Sequence, residues 1–373
     1  MRARAFVVAA IGLGSLCLSM GCAYLFPWTV SKNPNLTEEE RVDILQRAQV
    51  WKATNIAAMD LKTGPTGPGA FSRGQTVPCT YVQREMNGRS PKFMCVIRGR
   101  TSDEVKVKYG RDNAEVYGEV MATRLLWALG FGADRMYPVK VVCKGCPDTI
   151  EATSTLPSGE KVLDPAVIER KAAGWEVAAR SNEGWSWPEL AKVDPAKGGA
   201  PLAHRDALRL LAVMIQHSDS KPDQQRLLCL DGPTPPRRGP QRCARPFMMI
   251  QDVGLTFGKT DFLFRKVNYV NLERWSSINV FTDDTGCVGD LRAPVLGTLE
   301  KPVISEEGRA FLAGLLNKLT DAQLRDLFGA ARVELRSESP NSAESQPASV
   351  DDWVRVFKQK RQEITARRCA AKQ

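Results

Sequence analysis

Between residues 76 and 109, apolar and polar positions alternate in three short runs, TVPCTYVQ, KFMCVIR and EVKVKYG. That is the period of strands with one buried face. Asn87-Gly88, between the first two runs, predicts a hairpin, because both residues tolerate the positive φ of a tight turn. In the third run Val105 and Val107 alternate with Lys106 and Lys108, so one face is core and the other carries two cations. From residue 114 the period becomes helical: Val116, Val120, Thr123 or Arg124, and Trp127 are spaced by threes and fours, and Gly130-Phe131-Gly132 ends the pattern. MYPVKVVC predicts a further strand. HRDALRLLAVMIQ, residues 204–216, predicts a buried helix, and RLLCL and PFMMIQDVG predict two strands around a Pro-rich excursion. The helices SEEGRAFLAGLLNKL and TDAQLRDLFGAARV follow, then DDWVRVFKQKRQEI, whose Trp353 and Phe357 lie one turn apart and predict docking on the body.

Other stretches are irregular. Thr37-Glu38-Glu39-Glu40 has capping-box spacing and opens a helix expected to end near Trp51. Residues 62–74, rich in Gly and Pro, predict a loop. The polar region 147–199, with EGWSWPEL inside it, yields no assigned element, and SESPNSAESQPAS predicts a linker. At the N-terminus Arg2 and Arg4 precede AFVVAAIGLGSLCLSM, a run too short to span a bilayer and of the kind that forms a secretory signal core. Gly21-Cys22 resembles a bacterial lipoprotein junction, with the usual Leu one position early at Leu18; this implies lipidation of Cys22 and a membrane anchor. The expected organisation is a signal peptide over 1–21, a tether over 22–36, a small lobe with its preceding helix over 37–145, a large lobe over 146–336, a linker over 337–349 and a C-terminal helix over 350–373.

Composition adds compartment and partner class. With 373 residues, 43% of them hydrophobic, the chain fills a substantial core. The formal charge of +10, or +8 without Arg2 and Arg4, is spread among acidic residues with no basic ribbon interleaved with aromatics, so nucleic acid is not an expected partner. Ten cysteines become eight on processing, an even number that suggests disulfides in an oxidising compartment. Sequence neighbours offer Cys79 with Cys95, Cys143 with Cys146, and Cys229 with Cys243. A zinc site at Cys143-x-x-Cys146 is the rival reading, and it requires two more ligands from elsewhere.

The candidate chemistry lies in HSDSKPDQQ, residues 217–225, which sets an Asp, a Lys and an amide in one loop. Phosphoryl transfer needs positioned cations and an orienting carboxylate more than covalent help. Asp219 can orient an acceptor hydroxyl, and Lys221 can neutralise the transferring phosphate. Gln224 and Asp252 offer oxygen ligands for magnesium. Lys108, or Lys106 in its place, can reach nucleotide phosphates, with Glu119 or Glu115 holding the lysine. HSDSKPDQ resembles the H-R-D-x-K-P-E-N loop of protein kinases, and Asp252-Val253-Gly254 resembles their D-F-G motif. EVKVKYG and AEVYGEVMATRLLWALGFG resemble the lysine strand and the glutamate helix, in the manner of HipA-type and secretory-pathway kinases. The resemblance spans about residues 75–260.

It implies an α+β, two-lobed fold with a sheet-rich small lobe, a helical large lobe and a cleft for ATP and magnesium between them. The implied activity is phosphoryl transfer to a protein or small-molecule hydroxyl by an exported protein of the cell envelope. The chain departs from the pattern in having Gln224 where the family has Asn and Ser218 where it has Arg. It also lacks a Gly-x-Gly-x-x-Gly loop; NGRS at 87–90 and GPTGPG at 64–69 are alternative phosphate covers. His217 is expected to be a structural hydrogen-bonder. Gly254 to Thr260 is one residue too short for a P-loop, and no HExxH or GxSxG occurs. Because a bacterial envelope holds little ATP, a catalytically silent binding module is the alternative, and a plain envelope lipoprotein the third.

Overall fold

A computed structural model describes residues 36–88, 90–99, 103–179, 184–232, 243–258, 270–282, 286–291, 297–336 and 348–370. The signal segment, Cys22 and most of the 337–349 linker lie outside these residues. The chain runs α1 (Glu38–Gln46), β1 (Thr76–Val82), β2 (Lys92–Ile97), β3 (Glu104–Tyr109), α2 (Glu115–Leu129), β4 (Arg135–Lys144), β5 (Ser154–Thr155), β6 (Lys161–Arg170) and β7 (Trp175–Glu176). It continues through α3 (Leu202–Met214), β8 (Gln225–Cys229), β9 (Pro246–Ile250), α4 (Leu272–Ser277), α5 (Glu306–Leu316), α6 (Asp321–Ala330) and α7 (Val350–Ala366). The class is mixed α+β, with a sheet-rich part followed by a helical part.

The Thr37 capping box forms as expected: Thr37 accepts from the Glu40 N–H, and the Glu40 carboxylate accepts from that of Thr37. However, α1 stops at Gln46 rather than near Trp51, because the following residues leave the helix to make bridges, Gln49 to Phe247 and Trp51 to Phe131. Gly130 closes α2 at φ 88°, where a Cβ would lie 2.1 Å from the Lys52 carbonyl oxygen. Only glycine allows that approach.

Strands β3, β2, β1, β4 and β6 are hydrogen-bonded in that order, and β6 also pairs with β3, closing a five-stranded barrel. β1 and β4 are parallel; the other pairs are antiparallel. Val77, Phe93, Val105, Val107, Val139, Val141 and Ile168 fill the interior. Met136 and Val167, on the opposite face, join α2 in the larger helical core. β6 falls in the region that the sequence left unassigned, because a proline within KVLDPAVIER argues against a strand. The register supplies the solution: between Val139↔Ala166 and Val141↔Leu163, Asp164 and Pro165 together face Lys140, a bulge that removes the need for a proline N–H.

The Asn87-Gly88 expectation holds only in part. β1 and β2 are antiparallel, but residues 83–91 join them, so these two residues do not form a two-residue turn.

All three neighbouring cysteine pairs lie at disulfide distance, with Cα separations of 5.8, 5.8 and 5.6 Å, and Cys287 and Cys369 form a fourth pair at 5.4 Å. Pairing of Cys143 with Cys146 takes up both sulfurs that a zinc site would need. These pairs are compatible with an extracellular protein. Among the described residues, no helix is long and apolar enough to cross a membrane. α7 docks as its pattern predicts: Trp353 stacks on Trp275 at 5.9 Å and lies 5.7 Å from Phe328, and Phe357 is fully buried.

Loop length separates the disulfides energetically. Cys287 and Cys369 are 82 residues apart and Cys143 and Cys146 only three. Replacing the first pair by serine is expected to cost about 4 kcal/mol and the second about 1–2 kcal/mol, measured as ΔG of unfolding in urea.

Candidate functional site

The alternation of β3 turns Lys106 and Lys108 away from the barrel interior, and α2 presents Glu115 and Glu119, one helical turn apart, on the face that meets them. Lys108 is 1% exposed; its Nζ lies 2.6 Å from Glu115 and pairs still more closely with Glu119. Lys106 has a different partner. Directly across the β3–β6 register it meets Glu169 at 2.5 Å, and Glu169 also pairs with Lys171, which reaches Asp134 at 3.2 Å. Lys108 rather than Lys106 is therefore the lysine held by α2, and both glutamates hold it.

The loop after α3 is fixed from three sides. Gln216 turns the chain at φ 54°; the Ser218 N–H and Oγ then both donate to the Leu255 carbonyl, and the Phe257 N–H donates to that of Ile215. The Gln224 carbonyl accepts from the N–H groups of Gln251 and Asp252, at 2.8 and 3.2 Å. Thr298 donates twice to the Ser220 carbonyl, and Leu299 N–H donates to Ser220 Oγ. These bonds carry Asp219 and Lys221, themselves paired at 3.2 Å, to the segment that bears Asp252.

Gly254 brings that segment against α2: a Cβ there would lie 2.5 Å from Glu115 Cγ. Ser90 completes the cluster by donating to Glu115. Of the two alternative phosphate covers, NGRS thus reaches the lysine cluster through Ser90. The 64–69 loop instead contacts Arg124, Tyr137 and Arg170.

Carboxylates are in excess around Lys108. Burial disfavours its charge, but Asp252, Glu115 and Glu119 together hold its pKa well above the ordinary value. Burial pushes Glu119 up, against the pull of Lys108, as expected where several acids share one ammonium. Asp252 goes the other way: burial opposes its charge, but Lys108, then Lys106, and the Gly254 N–H hold it well below the usual carboxylate range. Asp219 is raised by burial against the pull of Lys221. Asp252 is thus held ionised, with the Gln224 backbone bonded to its own, and an ionised carboxylate is the kind of oxygen donor a hard cation such as magnesium prefers.

His217 departs from expectation. It is completely buried, 6.2 Å from Trp187, and neither ring nitrogen has a hydrogen-bond partner among the described residues. It is a packing residue, not a hydrogen-bonder. Trp185, which donates to the carbonyls of Arg226 and Met249, and Trp187 line this region, and Arg41 anchors their segment through Glu189 at 2.8 Å and the Gly184 carbonyl. Glu169, Thr298 and these two tryptophans were missed as site-building residues, with the Ser186–Glu189 capping box the one readable signal among them, whereas Ser90 fell within the NGRS stretch already named.

Burial lowers the pKa of His217 from 6.5 to about 4. A base depressed in the folded state stabilises the fold fully above its unfolded pKa, and that contribution is lost as pH falls from about 6.5 through 4. Wild type is expected to lose about 3 kcal/mol more than His217→Gln between pH 7 and pH 4, read from urea melts at each pH.

No family model matches the chain, and no curated protein matches it. A solved structure of a Helicobacter pylori proinflammatory kinase, CtkA, superposes with a TM-score of 0.36 and 8% identity, covering 76% of this chain and 91% of that one. A likeness this slight bears no weight on function.

Proposed function

We propose that the chain is an exported, kinase-like phosphotransferase of the cell envelope, moving phosphoryl from a nucleoside triphosphate to a hydroxyl of a protein or small molecule. The observation that carries this reading is convergence. Lys108 on β3 pairs with Glu119 on α2, Asp219 pairs with Lys221 after α3, and the charge of Asp252 after β9 acts on both lysines, although these residues are far apart in sequence.

In this reading Glu119 positions Lys108 toward phosphate oxygens. Asp219 accepts the hydrogen bond of the acceptor hydroxyl and orients its oxygen, and Lys221 offsets charge on the phosphoryl group in flight. Asp252 and Gln224 would hold magnesium, which neutralises phosphate oxygens when bound. Gln224 stands where an asparagine would be shorter, and its backbone bonds to Gln251 and Asp252 keep it beside Asp252. A lipid on Cys22 would keep the protein at the membrane.

The same cluster also favours the second reading, a catalytically silent kinase-like binding module, because the Lys108 side chain is 1% exposed and already shared among carboxylates. Thermal melting with ATP and magnesium, together with a transfer assay, separates the two. Ligand at a hundredfold over Kd is expected to raise Tm by about 5 °C or more, and Asp252→Ala to abolish the rise. Asp219→Ala should keep the rise and lose about 100-fold or more in turnover. A rise without turnover in wild type supports the silent module, and no rise in any protein overturns both readings.

A further inference from the structure

Lys108 has three N–H donors. Glu119 accepts one, and the Glu115 carboxylate is ion-paired with the ammonium at 2.6 Å. Asp252 adds its attraction from beyond ion-pair distance, so the contacts of the ammonium among the described residues are to the two glutamates. A phosphate oxygen that approaches on the Glu115 side meets a carboxylate already seated there. The two glutamates are not equivalent. Glu119 lies deeper, 3% exposed against 8% for Glu115. Glu115 alone is bonded to Ser90, which belongs to the connection between β1 and β2, and it alone packs against Gly254 of the Asp252 segment.

We propose that Glu115, latched by Ser90, occupies the phosphate position on Lys108 and sets the affinity of the site, whereas Glu119 positions the lysine for ligand. This rests on the nucleotide reading given above. Binding would require the Glu115 carboxylate to leave Lys108 and an anionic phosphate oxygen to replace it, a like-for-like exchange of charge. Glu115 can turn outward because it sits in the first turn of α2, where the helix meets the connection to β3. Rotation would break the Ser90 bond, so the β1–β2 connection and the lysine would respond to the same ligand.

Two glutamates one turn apart on the same lysine are then expected to have opposite effects. Calorimetric titration of the purified full chain with ATP in excess magnesium should show Glu115→Gln and Ser90→Ala each lowering Kd at least fivefold, and Glu119→Gln raising it at least tenfold. Ser90→Ala leaves the Gly254 contact untouched, so it decides the matter even where Glu115→Gln is poorly folded. A structural role for Glu115 cannot tighten binding. If wild type binds and both Ser90→Ala and Glu115→Gln bind equally or more weakly, the latch is refuted while the nucleotide reading stands. If none of the four proteins binds, the nucleotide reading fails, and the latch with it.

Discussion

An ammonium group buried at 1% exposure is tolerable only where carboxylates surround it, and Lys108 imposes that condition on three parts of the chain at once. β3 must present it outward from the barrel, α2 must arrive with Glu115 and Glu119 in register, and the segment after β9 must bring Asp252. Two glycines let these backbones approach. A Cβ on Gly254 would press into Glu115, and one on Gly118 would lie 3.1 Å from the Gly254 carbonyl oxygen. The Asp-x-Gly segment and the glutamate helix are thus fitted to each other by missing side chains as much as by charge.

Closure of the barrel gives this arrangement its stiffness. With β6 paired to β3 on one side and β4 on the other, none of the five strands offers a fully open edge, and the cystines of β1, β2 and β4 sit within the barrel's apolar filling. β6 also ends at the charged cluster: Glu169 meets Lys106, and Arg170 meets Asp103 at the start of β3. From there the chain passes within a few residues to β7 and so to β8, which follows the Asp219 loop directly. The strand that seals the barrel is also the one that leads into the three-stranded sheet of β7, β8 and β9.

Where local period decides structure, the sequence was legible. β1 to β3, α2, α3, β8 and β9 follow from alternation or helical spacing, and Trp353 and Phe357 announced the docking of α7. The order of Lys108, Glu119, Asp219 and Asp252 was also readable, because each stands at a recognisable strand, helix or loop. What escaped depended on partners remote in sequence. The proline of β6 is acceptable only because β6 bulges there opposite Lys140 of β4, and Asn87-Gly88 is not a tight turn because the residues around it reach inward to Glu115 through Ser90. A histidine next to an Asp-bearing loop gives no hint that it will be buried beside a tryptophan from a distant segment without a hydrogen bond among the described residues. Cysteines 82 residues apart carry no local mark of their pairing.

That last pairing changes what the backbone alone would imply for the last quarter of the chain. Cys369 follows α7 and Cys287 precedes α5, so the cystine turns everything between them into a covalent ring. Cleavage of any one peptide bond inside the ring, including the Ser/Pro-rich stretch before α7, leaves both pieces attached. α7 and its tryptophan would stay at high local concentration beside Trp275 and Phe328, held by sulfur after the main chain has been cut.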